Sequence, residues 1–195
     1  LRVCNNMPQS YRVGEVLYVH RSRPLSDIIR EINVESNNHY AEHLIRTIGR
    51  MKNANIYSDP LKEGIDFVNT FWKSKGISTS SLFMYDGCGL APQNAVSPVF
   101  LCDLLSYMHK KSLYSKVFFN SLPKAGEEGT LKYFMNKTKY AGKIGAKSGS
   151  INGVQCYAGY LMDGSKKYVF AVMVNKFNGT NAEIRRAIEK FLSGL

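Results

Sequence analysis

Two short polar runs in this chain could do chemistry together. Ser36-Asn37-Asn38 offers a hydroxyl and, two residues on, an amide, while Lys147-Ser148-Gly149-Ser150 offers a cation followed by two hydroxyls around a glycine. A hydroxyl beside an ammonium can pass a proton, hydroxyls and positive charge can hold a carboxylate, and a glycine lets a ligand backbone lie close. Taken alone, each run has a plainer explanation. Ser and Asn are favoured helix caps, and Lys147 could be a solvated lysine at a strand end.

Two literal matches compete with this pairing. His39-Tyr40-Ala41-Glu42-His43 has the H-x-x-E-H spacing that places two zinc ligands one helical turn apart with a glutamate as base, as in an inverted-motif zinc metallopeptidase. On a helix, however, His39 and His43 share a face with Arg46 and Arg50, whose guanidinium groups would oppose a divalent cation, and no third ligand follows in a clear motif. Ser121-Leu122-Pro123-Lys124 matches S-x-x-K, in which a serine nucleophile faces a lysine base one turn later. Pro123 breaks that turn.

The elements that must position these residues follow from periodicity and punctuation. Val16 to His20 reads as a short strand, and Leu25 to Ile32 as an amphipathic helix with Pro24 at its start. Tyr40, Ala41, Leu44, Ile45 and Ile48 form one apolar stripe running to Gly49. Asp59-Pro60 opens a helix to Lys75, Ser81 to Tyr85 reads as a strand, and Ser97-Pro98 starts another helix. Gly142 to Lys147, Gln155 to Met162 and Tyr168 to Val174 are β-rich runs separated by turn residues, which spells an antiparallel meander. Asn181 to Leu192 closes the chain as an amphipathic helix. Helices, then strands, then a helix predict an α+β arrangement.

Longer blocks flank the two runs. They are Pro24-Leu25-Ser26, Asp86-Gly87-Cys88-Gly89-Leu90 with Asn94, Leu122-Pro123-Lys124-Ala125-Gly126 with Gly129-Thr130-Leu131, and Gly142 through Ser150. In order and spacing, over roughly residues 17 to 175, they resemble the D-alanyl-D-alanine carboxypeptidase/endopeptidase type of penicillin-binding protein. The resemblance implies a transpeptidase/β-lactamase-like domain, with an antiparallel sheet flanked by helices on both faces. It also implies that residues 1–195 are the C-terminal portion of one such domain, incomplete at its N-terminal side, because the S-x-x-K nucleophile of these proteins lies upstream.

In such a site Ser36 would relay a proton toward the leaving amine, and Asn38 would hold the substrate amide and the nucleophile's lysine partner. Lys147 would add positive charge, Ser148 would bind the terminal carboxylate, Gly149 would let the substrate approach, and the Ser150 N–H would form half of the oxyanion hole. Ser148 stands where threonine is commoner, and Cys88 where serine is usual. The implied activity is a serine-type D-Ala-D-Ala carboxypeptidase or endopeptidase of peptidoglycan stem peptides, with β-lactams as ligands and no metal or cofactor. The implied location is periplasmic or otherwise extracytoplasmic. This chain alone would be catalytically incomplete, and surface left by the missing segment would favour self-association. A non-catalytic peptidoglycan-binding domain of the same fold is the alternative.

Composition is compatible with this reading. A 44% hydrophobic content with ten Phe and twelve Tyr suffices for one sizeable core. The charge of +11 invites an anionic partner, but it is scattered and carries no nucleic-acid recognition signature. Cys4, Cys88, Cys102 and Cys156 contain no C-x-x-C pair and read as buried free thiols, with one disulfide of unassigned pairing as the alternative.

Overall fold

The computed structural model describes residues 18–194. Pro24 presets the backbone for helix α1 (Leu25–Glu35), which stops because Ser36 adopts a left-handed conformation, φ 57° and ψ 47°. Asn37 then caps α2 (Asn38–Lys52), its side chain accepting from the Tyr40 N–H at 3.1 Å. Asp59 and Pro60 open α3 (Pro60–Ser74). The packing of α2 on α3 is close enough that a Cβ on Gly64 would come within 2.2 Å of the Ile45 carbonyl oxygen. A two-stranded ribbon, β1 (Leu82–Phe83) with β2 (Ala95–Val96), leads into α4 (Pro98–Lys110) and the short α5 (Ser115–Ser121).

Next comes the antiparallel sheet, β3 (Ile144–Ile151), β4 (Val154–Asp163) and β5 (Lys166–Asn175), in that spatial order. Alternation along β4 divides the core. Tyr157 and Leu161 face Leu131, Phe134, Ile188 and Leu192, which places α6 (Asn181–Ser193) on one side of the sheet. Ala158 and Tyr160 face Leu104, Leu105, Phe119 and Leu122, which places α4 and α5 on the other. On the first side the Phe134 and Tyr157 rings stack at 4.1 Å between centroids. On the second, the Tyr160 hydroxyl donates to the Leu105 carbonyl at 2.7 Å. Burial pushes the phenols of both tyrosines up to about 12. The architecture is the expected α+β one, with an antiparallel sheet between helices.

Several details depart from the sequence expectations. Of the strand expected over Val16 to His20, only Tyr18 to His20 lie within the described residues, and these are exposed, irregular backbone with no partner strand among the described residues. The strand expected over Ser81 to Tyr85 contracts to Leu82–Phe83, since β2 offers it only two residues to pair with. Tyr40, assigned to the apolar stripe of α2, stands 46% exposed. Helix α5 was not foreseen: it is short, and Val117, Phe118 and Phe119 favour strands by propensity. Cys88, Cys102 and Cys156 are free thiols, half-buried rather than buried, while Cys4 lies outside the described residues.

Candidate active site at the edge of β3

The site is assembled at two chain reversals and one strand. At the α1–α2 junction the left-handed backbone of Ser36 turns its side chain toward the sheet, where it accepts a hydrogen bond from the Lys147 ammonium at 2.9 Å. Lys147 Nζ also donates to the Ser148 carbonyl at 2.6 Å. Among the described residues, Lys147 makes no ion pair with a carboxylate. Burial without that compensation lowers its pKa from the ordinary lysine value. A lysine so poised, bonded to a hydroxyl, suits proton transfer.

Strand alternation sends Lys147 and its neighbour to opposite faces. Lys147 pairs in register with Ala158 on the α4 and α5 side, whereas Ser148 pairs with Tyr157 on the α6 side. There the Ser148 hydroxyl bonds the Thr130 hydroxyl at 2.8 Å. Thr130 belongs to a short 3-10 turn, Gly129–Leu131, whose Leu131 is fully buried. Gly129 has φ +52° and lies so close to α1 that a Cβ would come within 2.3 Å of the Val34 carbonyl oxygen. Only glycine meets both conditions there. Ser150 is exposed on the same face as Ser148, and the Asn181 amide donates to its hydroxyl at 3.4 Å.

The edge of β3 is covered for half its length. Ala125 N–H donates to the Ile144 carbonyl at 2.9 Å, and Ala146 N–H donates to the Pro123 carbonyl at 3.2 Å. Even-numbered residues therefore turn their backbone groups outward, and by the same alternation so do Ser148 and Ser150. Beyond Ala146, no segment among the described residues pairs with this edge. The Ser150 N–H thus points to an open edge, with Gly149 exposed beside it.

Of the six residues expected from sequence, the structure brings Ser36 and Lys147 into direct contact and sets Ser148, Gly149 and Ser150 on the adjoining edge. Asn38, at the first position of α2, is exposed and forms no side-chain hydrogen bond with them. Thr130 is the functional candidate that the sequence did not single out, although Gly129-Thr130-Leu131 stood among the flanking blocks.

The competing motifs are occupied elsewhere. Both carboxylate oxygens of Glu42 are committed, to Arg46 at 2.7 Å and to the Gly87 N–H at 2.6 Å, which ties α2 to the Asp86 loop. His39 and His43 are exposed, and among the described residues no group of three His, Cys, Asp or Glu gathers as a metal would need. Ser121 is buried at the end of α5, donating to the Phe118 carbonyl at 2.7 Å and accepting from Asn33 at 2.8 Å. Leu122 leaves the helix with extended backbone, so Lys124 is not one turn beyond Ser121. The Asp86 loop is braced from within. Burial alone would raise the Asp86 pKa, but hydrogen bonds from the Ala91 N–H, Asn94 and the Gly89 N–H outweigh it and lower the value.

The chain is similar in sequence and in fold to several known proteins. It is 30% identical over 178 residues to a D-alanyl-D-alanine carboxypeptidase of Actinomadura sp., covering 89% of this chain and 32% of that protein. It is 28% identical over 203 residues to penicillin-sensitive carboxypeptidase A of Dictyostelium discoideum, covering 97% and 36%. The chain therefore spans about a third of the length of these relatives. Penicillin binding protein 4 of Haemophilus influenzae superposes with a TM-score of 0.77 at 25% identity, over 95% of this chain and 43% of that one. A β-lactamase of Sphaerobacter thermophilus shares the fold, with a TM-score of 0.61 at 18% identity over 92% and 68%. The sequence profile of the D-Ala-D-Ala carboxypeptidase 3 (S13) family matches residues 5–195. On that match, and with a fold shared with penicillin binding protein 4, this chain belongs to the D-Ala-D-Ala carboxypeptidase 3 (S13) family.

Proposed function

We propose that residues 1–195 form the C-terminal portion of a single transpeptidase-like domain, and that they supply two of the three catalytic motifs of a serine-type D-Ala-D-Ala carboxypeptidase or endopeptidase. The observation that carries this reading is the 2.9 Å bond between Ser36 and Lys147, two residues brought together from distant parts of the chain. The nucleophilic serine lies outside these residues, since Ser121 and Lys124 lack the helical relation that an S-x-x-K pair requires.

In the reaction, the nucleophile's hydroxyl gives its proton to the S-x-x-K lysine as its oxygen attacks the carbonyl carbon of the D-Ala-D-Ala bond, and the C–N bond breaks as an ester forms. Ser36, polarised by Lys147, passes a proton to the departing amine. Asn38 holds the substrate amide. The carboxylate rests on the Ser148 hydroxyl, with Lys147 adding positive charge, and the Ser150 N–H receives the developing oxyanion beside Gly149. Water then cleaves the ester, restoring the serine and releasing the shortened peptide. The substrates are peptidoglycan stem peptides, β-lactams acylate the same serine, and the location is extracytoplasmic. No helix among the described residues is long and apolar enough to cross a membrane.

Labelled penicillin tests the assignment by intact mass. The isolated 195-residue chain forms no adduct, whereas the protein carrying these residues together with its nucleophile forms one. In the latter, Lys147→Ala lowers the acylation rate by at least ~10-fold. A stoichiometric adduct on Ser36 or Ser121 of the isolated chain, or wild-type acylation in Lys147→Ala, overturns the reading.

A further inference from the structure

We propose that Thr130 is a positioning residue for the Ser148 hydroxyl, setting the direction of its proton and hence the preference for a substrate that ends in a free carboxylate. The proposal rests on the reading above, which makes Ser148 the carboxylate-binding hydroxyl. Each of these hydroxyls has one proton to give and lone pairs to accept with. In the ligand-free structure Ser148 bonds Thr130 at 2.8 Å, with Ser148 as donor. A carboxylate only accepts, so binding it requires the Ser148 proton to turn outward. The Ser148 oxygen then loses its bond to Thr130 unless Thr130 supplies a proton in return. Thr130 can do so without moving, by rotation of its own hydroxyl. The two form a chain from Thr130 to Ser148 to carboxylate, in which each bond polarises the next.

The surroundings of Thr130 hold it for this purpose. Its side chain is exposed, and Ser148 is its hydrogen-bond partner. The backbone beneath it is fixed by buried Leu131, whose carbonyl accepts from the Gly126 N–H at 2.9 Å, and by the close seat of Gly129 against Val34. Val34 lies two residues before Ser36. One contact therefore sets the Thr130 hydroxyl and the Ser36 hydroxyl in a common frame.

The test uses the protein complete with its nucleophile and compares a D-Ala-D-Ala peptide with its C-terminal amide, which lacks the carboxylate. Thr130→Val removes the hydroxyl at nearly constant shape, and Thr130→Ser keeps it. The expected result is that Thr130→Val lowers kcat/KM about 5-fold for the free peptide, the worth of one neutral hydrogen bond, and by a smaller factor for the amide, whose terminal NH2 can itself donate to the Ser148 oxygen. Thr130→Ser restores the ratio, and Ser148→Ala with Thr130→Val together are no worse than Ser148→Ala alone. Equal losses on both substrates, or multiplied losses in the double variant, overturn the role of Thr130. A wild-type protein that discriminates while Thr130→Val matches it overturns Thr130 alone. A wild-type protein that fails to prefer the carboxylate overturns the functional reading and this proposal with it.

Discussion

Ser36 carries a Cβ in the left-handed region, and the energetic consequence can be isolated by comparing Ser36→Ala with Ser36→Gly. Both variants remove the oxygen that accepts from Lys147 at 2.9 Å, so that loss cancels between them. What remains is the backbone at φ 57° and ψ 47°. A Cβ there approaches the following carbonyl oxygen at a cost of about 1–2 kcal/mol, which alanine retains and glycine escapes. Glycine gives back about 0.5–1 kcal/mol through its freer unfolded chain. Ser36→Gly should therefore be the more stable variant by about 0.5–1 kcal/mol, read as a higher urea midpoint at unchanged slope. Both should be deficient in proton relay, because the hydroxyl is gone from each. An alanine variant as stable as the glycine variant, or more so, would refute the claim that Ser36 is held under strain.

Other expectations follow from the same geometry. Gly129→Ala should unfold at lower denaturant by roughly 2 kcal/mol or more, since it adds a Cβ both at φ +52° and against the Val34 carbonyl; a near-neutral change would show that the turn can move. Tyr160→Phe removes the hydroxyl's bond to the Leu105 carbonyl, which keeps its place in the α4 ladder, and should cost about 1 kcal/mol in the same assay. Burial lowers the Lys147 pKa, so between its folded value and 10.5 the unfolded state holds the extra proton and stability due to this group rises with pH. The wild type should accordingly gain on Lys147→Met as pH climbs toward that limit, and a flat difference would count against the burial argument. Tyr157 and Tyr160 act in the opposite sense. With phenols at about 12 in the fold against an ordinary value of 10.0, their contribution is complete below pH 10 and lost as pH rises through 12, which tyrosinate absorbance during alkaline unfolding would follow.

The helices with strong apolar spacing and the three-stranded meander were readable in the sequence, because each carries its own periodicity and turn residues. Helix α5 was not, since its residues favour another conformation and contacts with α1, α4 and Tyr160 of β4 hold it. At the site, residue type and order pointed to Ser36 and Lys147, but their contact depends on how α1 seats against the 3-10 turn, which no local pattern encodes. The left-handed residue at the α1–α2 junction is Ser36, although Asn37 beside it would be the commoner occupant. Propensity would have placed the turn one residue later and the hydroxyl elsewhere. Thr130 was legible only as part of a flanking block, because what distinguishes it is its bond to Ser148 on a separate element.

The half-covered edge of β3 also acts as a ruler. Pairing stops at Ala146, where the Pro123 carbonyl is met, and β3 ends at Ile151 before the tight reversal at Gly153. The five residues Lys147 to Ile151 span four steps of about 3.3 Å, which leaves roughly 13 Å for a paired strand, enough for a few main-chain bonds and no more. A peptide laid there has one reading frame, because a shift of a single residue would reverse which of its side chains face the domain. A longer chain must bend away where Pro123 blocks the edge. For any peptide that pairs there, length and phase would thus be set by the backbone before any side chain selects it.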